Sequence, residues 1–553
     1  MNGASAIARI LQQEGVESLS CFPANPIIEA AANLGIRPII CRQERAGVNI
    51  ADGYSRANFG NRFGVFAMQY GPGAENAYGG VAQAFADSVP ILLLPTGYER
   101  PRSSTHPNFS ASENYAGITK WSARVTDAHQ IPELMRRAIT HLRTGRGGPV
   151  LLEIPKDIAT EEIQGTMPDY QVVQPVRSAG DPHDIAKIAD ALLGAKQPII
   201  HAGQGILWAQ ATKELIELAE LLTIPVMTTL TGKSGFPEDH PLALGTGSST
   251  TTKAVNHFLN RSDVVFGIGC SFSLTTFGVT IPQGVGNTRR PKVIIHSTND
   301  ALDINKDYAA DLAVIGDAKL VLRQLIQEIR HRGGVVPSKH ALEVINEIKT
   351  VKNSWIKAWM PKLTSRETPL NPYRVIWDVI NSIDRHNTIV THDSGSPRDQ
   401  TVPFFEALVP GSYIGWGKST QLGYGLGLAI GAKLANPHKS VINIMGDTAF
   451  GMAGIDMETA ARCKLPIITV LLNNSVMGGY RNRMPTATAE FGASRLTGDY
   501  TKIAEGLGAY SERVTIPEEI IPALRRAEAI AASGQPALLE FVTCEELEQS
   551  KFE

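Results

Sequence analysis

VINIMGDTAFGMAGIDMETAARCKLPIITVLLNN, residues 441–474, opens with an apolar run that stops at Gly446-Asp447 and closes with another that stops at Asn473-Asn474. The two runs predict buried strands of a parallel sheet, since both are nearly continuous in Val, Ile and Leu. The stretch between them, MAGIDMETAARCKL, has apolar residues at helical spacing and is long enough for one crossover helix. The strands are therefore expected to lie side by side or one apart. In such a sheet ligands collect beyond the carboxyl ends of the strands, where Asp447 and Asn474 both stand. A carboxylate and an amide oxygen facing one point suit Mg²⁺, which binds through one or two protein groups plus substrate phosphates, so the pair is expected to serve a diphosphate. The same residues also suit a helix cap at Asp447 and a turn at Asn474.

The same rhythm extends outward along the chain. Short runs rich in Val and Ile, such as RPIICRQ, FGVFAMQ, VPILLLP and GPVLLEIP, alternate with Ala-rich helical stretches. That alternation predicts βαβ units, and hence an α/β chain of mainly parallel sheets flanked by helices. The first block closes near Pro155, and a polar, Pro-containing stretch at 161–182 reads as a linker. A second block holds QPIIHAGQGIL, IPVMTTL, DVVFGIGC and PKVIIHS and ends in the helical DAKLVLRQLIQEIRHRG. A connector from Val335 to about Asn371 carries helical pieces, and the third block runs on to the C-terminus. Three domains are expected, at 1–165, 186–335 and 371–553. Two apparent nucleotide motifs are weak. GWGKST (415–420) contains the GKS of a phosphate loop, but Ser412 stands where that motif needs its first Gly. HAGQGILWA (201–209) offers a GxG after a strand but has Leu207 and Trp208 where a third Gly would admit a helix close to the sheet.

Composition excludes several classes. The 553 residues carry 52 basic and 54 acidic side chains, a net charge of −2, which gives no attraction for nucleic acid or an anionic membrane. The opening MNGASAIARILQQEG reads as an amphipathic helix rather than a signal peptide, and the apolar runs are too short for a membrane span of ~20 residues. Five scattered cysteines with no CxxC pair argue against a disulfide framework and a zinc site. A cytoplasmic location is expected, with small molecules or further copies of the chain as partners.

The GD and NN at the two strand ends together resemble the thiamine diphosphate (ThDP) motif of the acetolactate synthase and 2-oxoacid decarboxylase superfamily. Other segments agree in order along nearly the whole chain. ERAGVNIADGYSRA (44–57) resembles the segment bearing the cofactor-activating glutamate, YGPGAEN (70–76) the GPG-containing turn, and TGKSGFPEDHPLALG (231–245) the central-domain signature. The resemblance implies a pyrimidine-binding domain, a central domain and a diphosphate-binding domain. It implies that Asp447, following Gly446, binds Mg²⁺ together with the Asn474 side chain and the Val476 carbonyl, and that the metal holds the cofactor diphosphate. Leu422, in STQLGYG, takes the position of the bulky apolar residue that wedges ThDP into its bent form. Glu44 takes that of the glutamate that hydrogen-bonds N1′ of the aminopyrimidine and so assists loss of the C2 proton, a relay suited to a partly buried carboxylate.

Such a cofactor adds to the carbonyl of a 2-oxoacid, releases CO₂, and lets the remaining carbanion be protonated or captured by a second carbonyl compound. The expected activity is therefore decarboxylation, carboligation of the acetolactate synthase kind, or both. A 2-hydroxyacyl-CoA lyase acting on an acyl-CoA, a simple 2-oxoacid decarboxylase, and a non-catalytic ThDP-binding regulatory subunit are the alternatives; retention of Glu44 speaks against the last. Departures from the family pattern limit the substrate. NFSASENYAG (108–117) lacks the Phe-Gln-Glu segment of acetolactate synthases, and His106 stands alone where pyruvate decarboxylases carry paired histidines. GCSFSLTTFG (269–278) replaces an Arg- and Asp-bearing flavin contact, so FAD is not supported. Asn25, Gln69, Tyr70, Met477 and Tyr480 flank the cofactor motifs and are candidates for the substrate pocket or for packing. Glu44 and Asp447 belong to different domains yet must touch one cofactor, and the resemblance places the site across a two-fold interface in a homodimer or homotetramer.

Overall fold

A computed structural model of the chain describes residues 1–164, 169–286, 291–334 and 338–552. The expected boundary residues 165, 335 and 553 lie outside these. Each block of the sequence builds a six-stranded sheet, and every strand pairing is parallel. The first sheet comprises β1 (Ser18–Phe22), β2 (Arg37–Ile40), β3 (Gly64–Met68), β4 (Ile91–Gly97), β5 (Trp121–Arg124) and β6 (Val150–Pro155), in spatial order β2-β1-β3-β4-β6-β5. The central sheet comprises β7 (Pro198–Ala202), β8 (Val226–Thr229), β9 (Ala243–Gly247), β10 (Val264–Ile268), β11 (Val293–Thr298) and β12 (Leu312–Ile315), ordered β12-β11-β10-β7-β8-β9. The third comprises β13 (Thr388–His392), β14 (Tyr413–Ile414), β15 (Ser440–Gly446), β16 (Ile468–Asn473), β17 (Tyr510–Val514) and β18 (Ala537–Val542), ordered β14-β13-β15-β16-β18-β17.

The first and third sheets thus repeat one topology, and the central sheet has the order of a dinucleotide-binding fold. In each, the strand order reverses at one point: between β1 and β3, between β7 and β10, and between β13 and β15. At such a reversal the following chain segments diverge to opposite faces and leave a crevice. The interior strands β3, β4, β10 and β16 are buried along their whole length, which accounts for their unbroken apolar runs.

The opening stretch folds as expected in one respect and differently in another. β15 and β16 are direct neighbours, with Gly446 opposite Leu472. The single crossover helix is instead broken into Asp447–Ala453 and Met457–Arg462 around a tight turn at Gly454–Asp456. A Cβ at Gly454 would stand 2.7 Å from the Phe450 ring, so the bend closes on that side chain. The connector before the third sheet is one helix, Ser338–Leu363, with Pro361 in its last turn.

The outer domains pack on each other within the chain through glycines. Helix Glu44–Ala57 crosses helix Gly425–Ala435 so closely that a Cβ on Gly53 would come 2.2 Å from the Leu428 carbonyl oxygen. One on Gly431 would come 2.1 Å from that of Ile50. Any larger residue at either position would force the helices apart. The central domain is tied in by Lys233 and Glu238 of the TGKSGFPEDHPLALG segment, a buried pair at 2.5 Å whose carboxylate also accepts from the Ala407 N–H of the third domain at 2.8 Å.

Candidate active site

The third sheet carries one half of the site at its reversal. β15 runs out at Gly446, and Asp447 begins the next helix with its carboxylate 3% exposed. Oδ1 accepts from the Thr448 N–H at 2.7 Å and Oδ2 from the Ser475 N–H at 2.9 Å, so the carboxylate joins the ends of β15 and β16. Burial raises its pKa above the ordinary value, opposed by these N–H groups, and a cation at the remaining lone pairs would oppose it further. Asn474 is half-buried on the turn after β16, and its Oδ1 accepts from the Val476 N–H at 3.1 Å. The remaining wall is backbone. At Gly395, with φ 84°, open space stands where a Cβ would be, and Cβ atoms on Gly446 and Gly478 would lie 3.6 Å from Pro397 and 3.5 Å from Ser396 Oγ. Hard oxygen donors beside a glycine-walled crevice fit a divalent cation carrying a diphosphate.

Leu422 stands over the same reversal. Asp393, which follows β13, receives the N–H of Gly423 at 2.9 Å on one oxygen and that of Gly425 at 2.8 Å on the other. The chain on the C-terminal side of Leu422 is thereby fixed. Burial pushes the Asp393 carboxyl up to about 6 despite those hydrogen bonds. Sequence reading missed this residue. Its signal was present, because DSG directly after TIVTH sets an acid at the end of an apolar run, as Asp447 stands after VINIMG. Met477 and Tyr480 lie on the turn beyond Val476: Met477 donates its N–H to the Ser494 carbonyl at 2.8 Å, and Tyr480 is exposed beneath the Arg483 guanidinium.

The first sheet carries the other half at its own reversal. Glu44 opens the helix after β2 and is 4% exposed. Asn76 Nδ2 donates to its Oε2 at 3.3 Å, and a Cβ on Gly73 would stand 3.4 Å from its Oε1. Asn76 and Gly73 come from YGPGAEN, so that glycine-rich turn is the floor on which the Glu44 carboxylate rests. Gln69 and Tyr70 follow β3 at the same edge, with the Tyr70 ring 4.9 Å from that of Tyr98. Asn25 follows β1 and uses its side chain on backbone: Nδ2 donates to the Met68 and Leu94 carbonyls, and Oδ1 accepts from the Ile27 N–H. Those bonds pin the ends of three strands together.

Among the described residues no hydrogen bond or ion pair joins Glu44 to Asp447. The start of the Glu44 helix lies instead against the far end of the crossover, where the Arg42 N–H donates to Asp456 at 2.8 Å. Helix Asp447–Ala453, about 10 Å long by its rise per residue, lies between that contact and the Asp447 carboxylate.

The weak nucleotide motifs also have a place. A cavity of about 620 Å³ opens at the reversal of the central sheet, lined by Gln204, Gly205, Gly269, Cys270 and, from the third domain, Lys418. A Cβ on Gly203 would come 2.2 Å from the Gly269 carbonyl oxygen, so close approach of the two strand-end turns accounts for that glycine. Lys418 Nζ donates to Ser271 at 3.0 Å, and burial lowers its pKa to about 8. The GKS at 417–419 builds no phosphate loop, because Asp87 already takes the N–H groups of Gly417 and Lys418.

Domain models of one family match the chain in order: the thiamine pyrophosphate enzyme N-terminal TPP binding domain at residues 1–116, the central domain at 185–325 and the C-terminal TPP binding domain at 393–541. The chain belongs to the thiamine pyrophosphate enzyme family. Over 573 aligned residues it is 33% identical to a probable acetolactate synthase large subunit of Methanocaldococcus jannaschii, covering 98% of this chain and 92% of the relative. It is 29% identical to a glyoxylate carboligase of Escherichia coli O157:H7 over 98% of this chain and 93% of the relative. It is 26% identical to the acetolactate synthase isozyme 3 large subunit of Escherichia coli K12 over 95% and 92%. This is an acetolactate synthase-like, ThDP-dependent enzyme of the transferase or lyase type. Among the described residues no helix is long and apolar enough to cross a membrane.

Proposed function

We propose that the enzyme binds ThDP through Mg²⁺ and acts on a 2-oxoacid, by decarboxylation followed by carboligation to a second carbonyl compound. The observation that carries this reading is the pairing of Asp447 with the Asn474 turn beside a glycine-walled crevice at the third-sheet reversal. Asp447, the Asn474 side chain and the Val476 carbonyl would hold the metal, and Leu422 would support the bent cofactor from below. Bound ThDP supplies a nucleophilic carbon and an electron sink for breaking and remaking a carbon–carbon bond next to a carbonyl. Glu44 holds and returns the proton at the pyrimidine edge, where burial against Gly73 and Asn76 keeps water from competing for it. Gln69, Tyr70, Met477 and Tyr480 border the space left for substrate, while Asn25 fixes the strand ends behind it. FAD has no part in this proposal, because the central loop at 269–278 presents Ser271 and Ser273 in place of charged flavin contacts.

Incubation with ThDP, Mg²⁺ and a panel of 2-oxoacids that includes pyruvate and glyoxylate, with CO₂ release and coupled product followed by NMR, tests the reading. A new carbon–carbon product is expected. Release of CO₂ with only the aldehyde formed would instead identify a simple decarboxylase. Turnover confined to added 2-hydroxyacyl-CoA thioesters would identify a lyase.

The working unit in this proposal is a homodimer or a homotetramer, with Glu44 of the partner subunit completing each site. Exposed apolar side chains support it: Tyr78 and Phe85 on helix Pro72–Ala86, and Met452 and Ile455 on the crossover. Mixing inactive Glu44→Gln with inactive Asp447→Ala subunits under conditions of exchange is expected to restore activity, approaching about a quarter of wild type for random pairing. No recovery, with exchange confirmed by mass spectrometry, would place both residues in one chain's site.

A further inference from the structure

A buried charge cluster in the first domain makes no contact with the catalytic groups described above. Asp52 and Arg56, one turn apart on helix Glu44–Ala57, pair at 2.5 Å, and Arg56 also reaches Asp87 at 2.9 Å. Both carboxylates are fully buried and the guanidinium nearly so. All three residues reach into the third-domain segment 415–424. Arg56 Nη1 donates to the Gly415 carbonyl at 3.1 Å, and Asp87 accepts from the N–H groups of Gly417 at 3.1 Å and Lys418 at 3.0 Å. Gln83, bonded to the same Asp87 carboxylate, accepts from the Gln421 N–H at 3.1 Å, and Asp52 accepts from the Tyr424 hydroxyl at 3.0 Å. Leu422 lies inside this segment.

An apolar contact would hold two domains together equally well, and burying three charges is costly even when they are paired. What the cluster adds is direction. One carboxylate taking two successive N–H groups fixes the peptide planes at 417 and 418, and Gln83 fixes the one just before Leu422. The segment needs such support: Thr420, a non-glycine residue, sits at φ 57°, a conformation that persists only when its surroundings over-determine it. Asp393 fixes the other flank at Gly423 and Gly425.

We infer that Arg56, Asp52 and Asp87 are positioning residues for the cofactor, which set the path of residues 415–424 from the first domain and thereby the place of Leu422. This rests on the reading of Leu422 as the support for bent ThDP. Burial opposes the charge on Arg56, but Asp52 and Asp87 outweigh it and hold the guanidinium pKa above its ordinary value, so Arg56 stays charged.

The test begins without cofactor. In apo Asp87→Asn, amide hydrogen exchange in peptides spanning 415–424 is expected to quicken by about 10-fold, with the rest of the third domain unchanged. With saturating ThDP and Mg²⁺, exchange of the cofactor C2 proton is expected to slow by about 10-fold, while the ThDP half-saturation concentration moves less than about 3-fold, because the diphosphate anchor is untouched. In a Leu422→Ala background the same Asp87→Asn change is expected to have no further effect on C2 exchange, since both act through one side chain. Unaltered amide exchange at 415–424, or an undiminished Asp87→Asn effect in the Leu422→Ala background, overturns the inference. If Leu422→Ala itself exchanges C2 at the wild-type rate, the reading of Leu422 fails and the inference with it. Should Asp87→Asn not fold, Tyr424→Phe removes only the hydroxyl that Asp52 accepts and carries the same comparisons.

Discussion

Replacement of Asp447 by alanine is expected to abolish Mg²⁺-dependent ThDP binding, by about 100-fold or more in affinity, with the fold intact. The loss is large because this is the one carboxylate at the carboxyl ends of β15 and β16 that bridges both turns, receiving the Thr448 and Ser475 N–H groups. In the proposed site the metal would then keep only an amide oxygen and a carbonyl, and the diphosphate would lose its bridge to the protein. The fold is expected to survive because the two lost hydrogen bonds cost about 1–3 kcal/mol each, within the stability of a domain. Titration calorimetry with ThDP in the presence and absence of Mg²⁺ reads the result directly. Wild-type affinity would mean that Asp447 only caps its helix.

Substitution of Glu44 by glutamine is expected to leave ThDP binding close to wild type but to slow exchange of the cofactor C2 proton by about 100-fold or more. The contrast with Asp447 follows from the surroundings. Glutamine fills the same space against Gly73 and preserves a carbonyl oxygen for the Asn76 amide, so the pocket is not disturbed. It lacks a carboxylate able to hold and return a proton, so chemistry is lost and anchoring is kept. Quenched deuterium exchange followed by NMR, with ThDP affinity measured on the same sample, separates the two. Equal losses in binding and exchange would make Glu44 an anchoring residue, and unaltered exchange would remove it from the proton path.

The parts of this protein that were legible in its sequence are those where one local rule has one outcome. Strands buried on both faces must be apolar throughout, so IMG and LLNN announced where β15 and β16 end, and GVFAM and ILLLP marked β3 and β4. Gly446-Asp447 and Asn473-Asn474 marked the ends of those strands because the apolar runs stop there. Strands that break the rule were silent. β5 (WSAR) and β17 (YSER, closing on Val514) lie at sheet edges and are largely half-exposed, and β1 carries two serines, of which Ser20 donates its hydroxyl to the Gly47 carbonyl of helix Glu44–Ala57 at 2.7 Å. The bend at Gly454–Asp456 was hidden because its apolar residues keep helical spacing across the break.

What only the tertiary structure decided is which strand ends meet. Strand order, and with it the reversal between β13 and β15 that sets Asp393 beside Asp447, is chosen by the packing of helices on both faces, which no segment encodes alone. The same holds for Arg56 and Asp87. Neither was singled out by the sequence, and the contacts they make with the third domain, Asp87 with the Gly417 and Lys418 N–H groups and Arg56 with the Gly415 carbonyl, exist only after glycines 53 and 431 let the two outer domains close to contact. Hydrophobic periodicity acts over a few residues and survives in the sequence. A buried charge is tolerated only where its partners converge, and those partners come from segments hundreds of residues apart that are brought together by the fold.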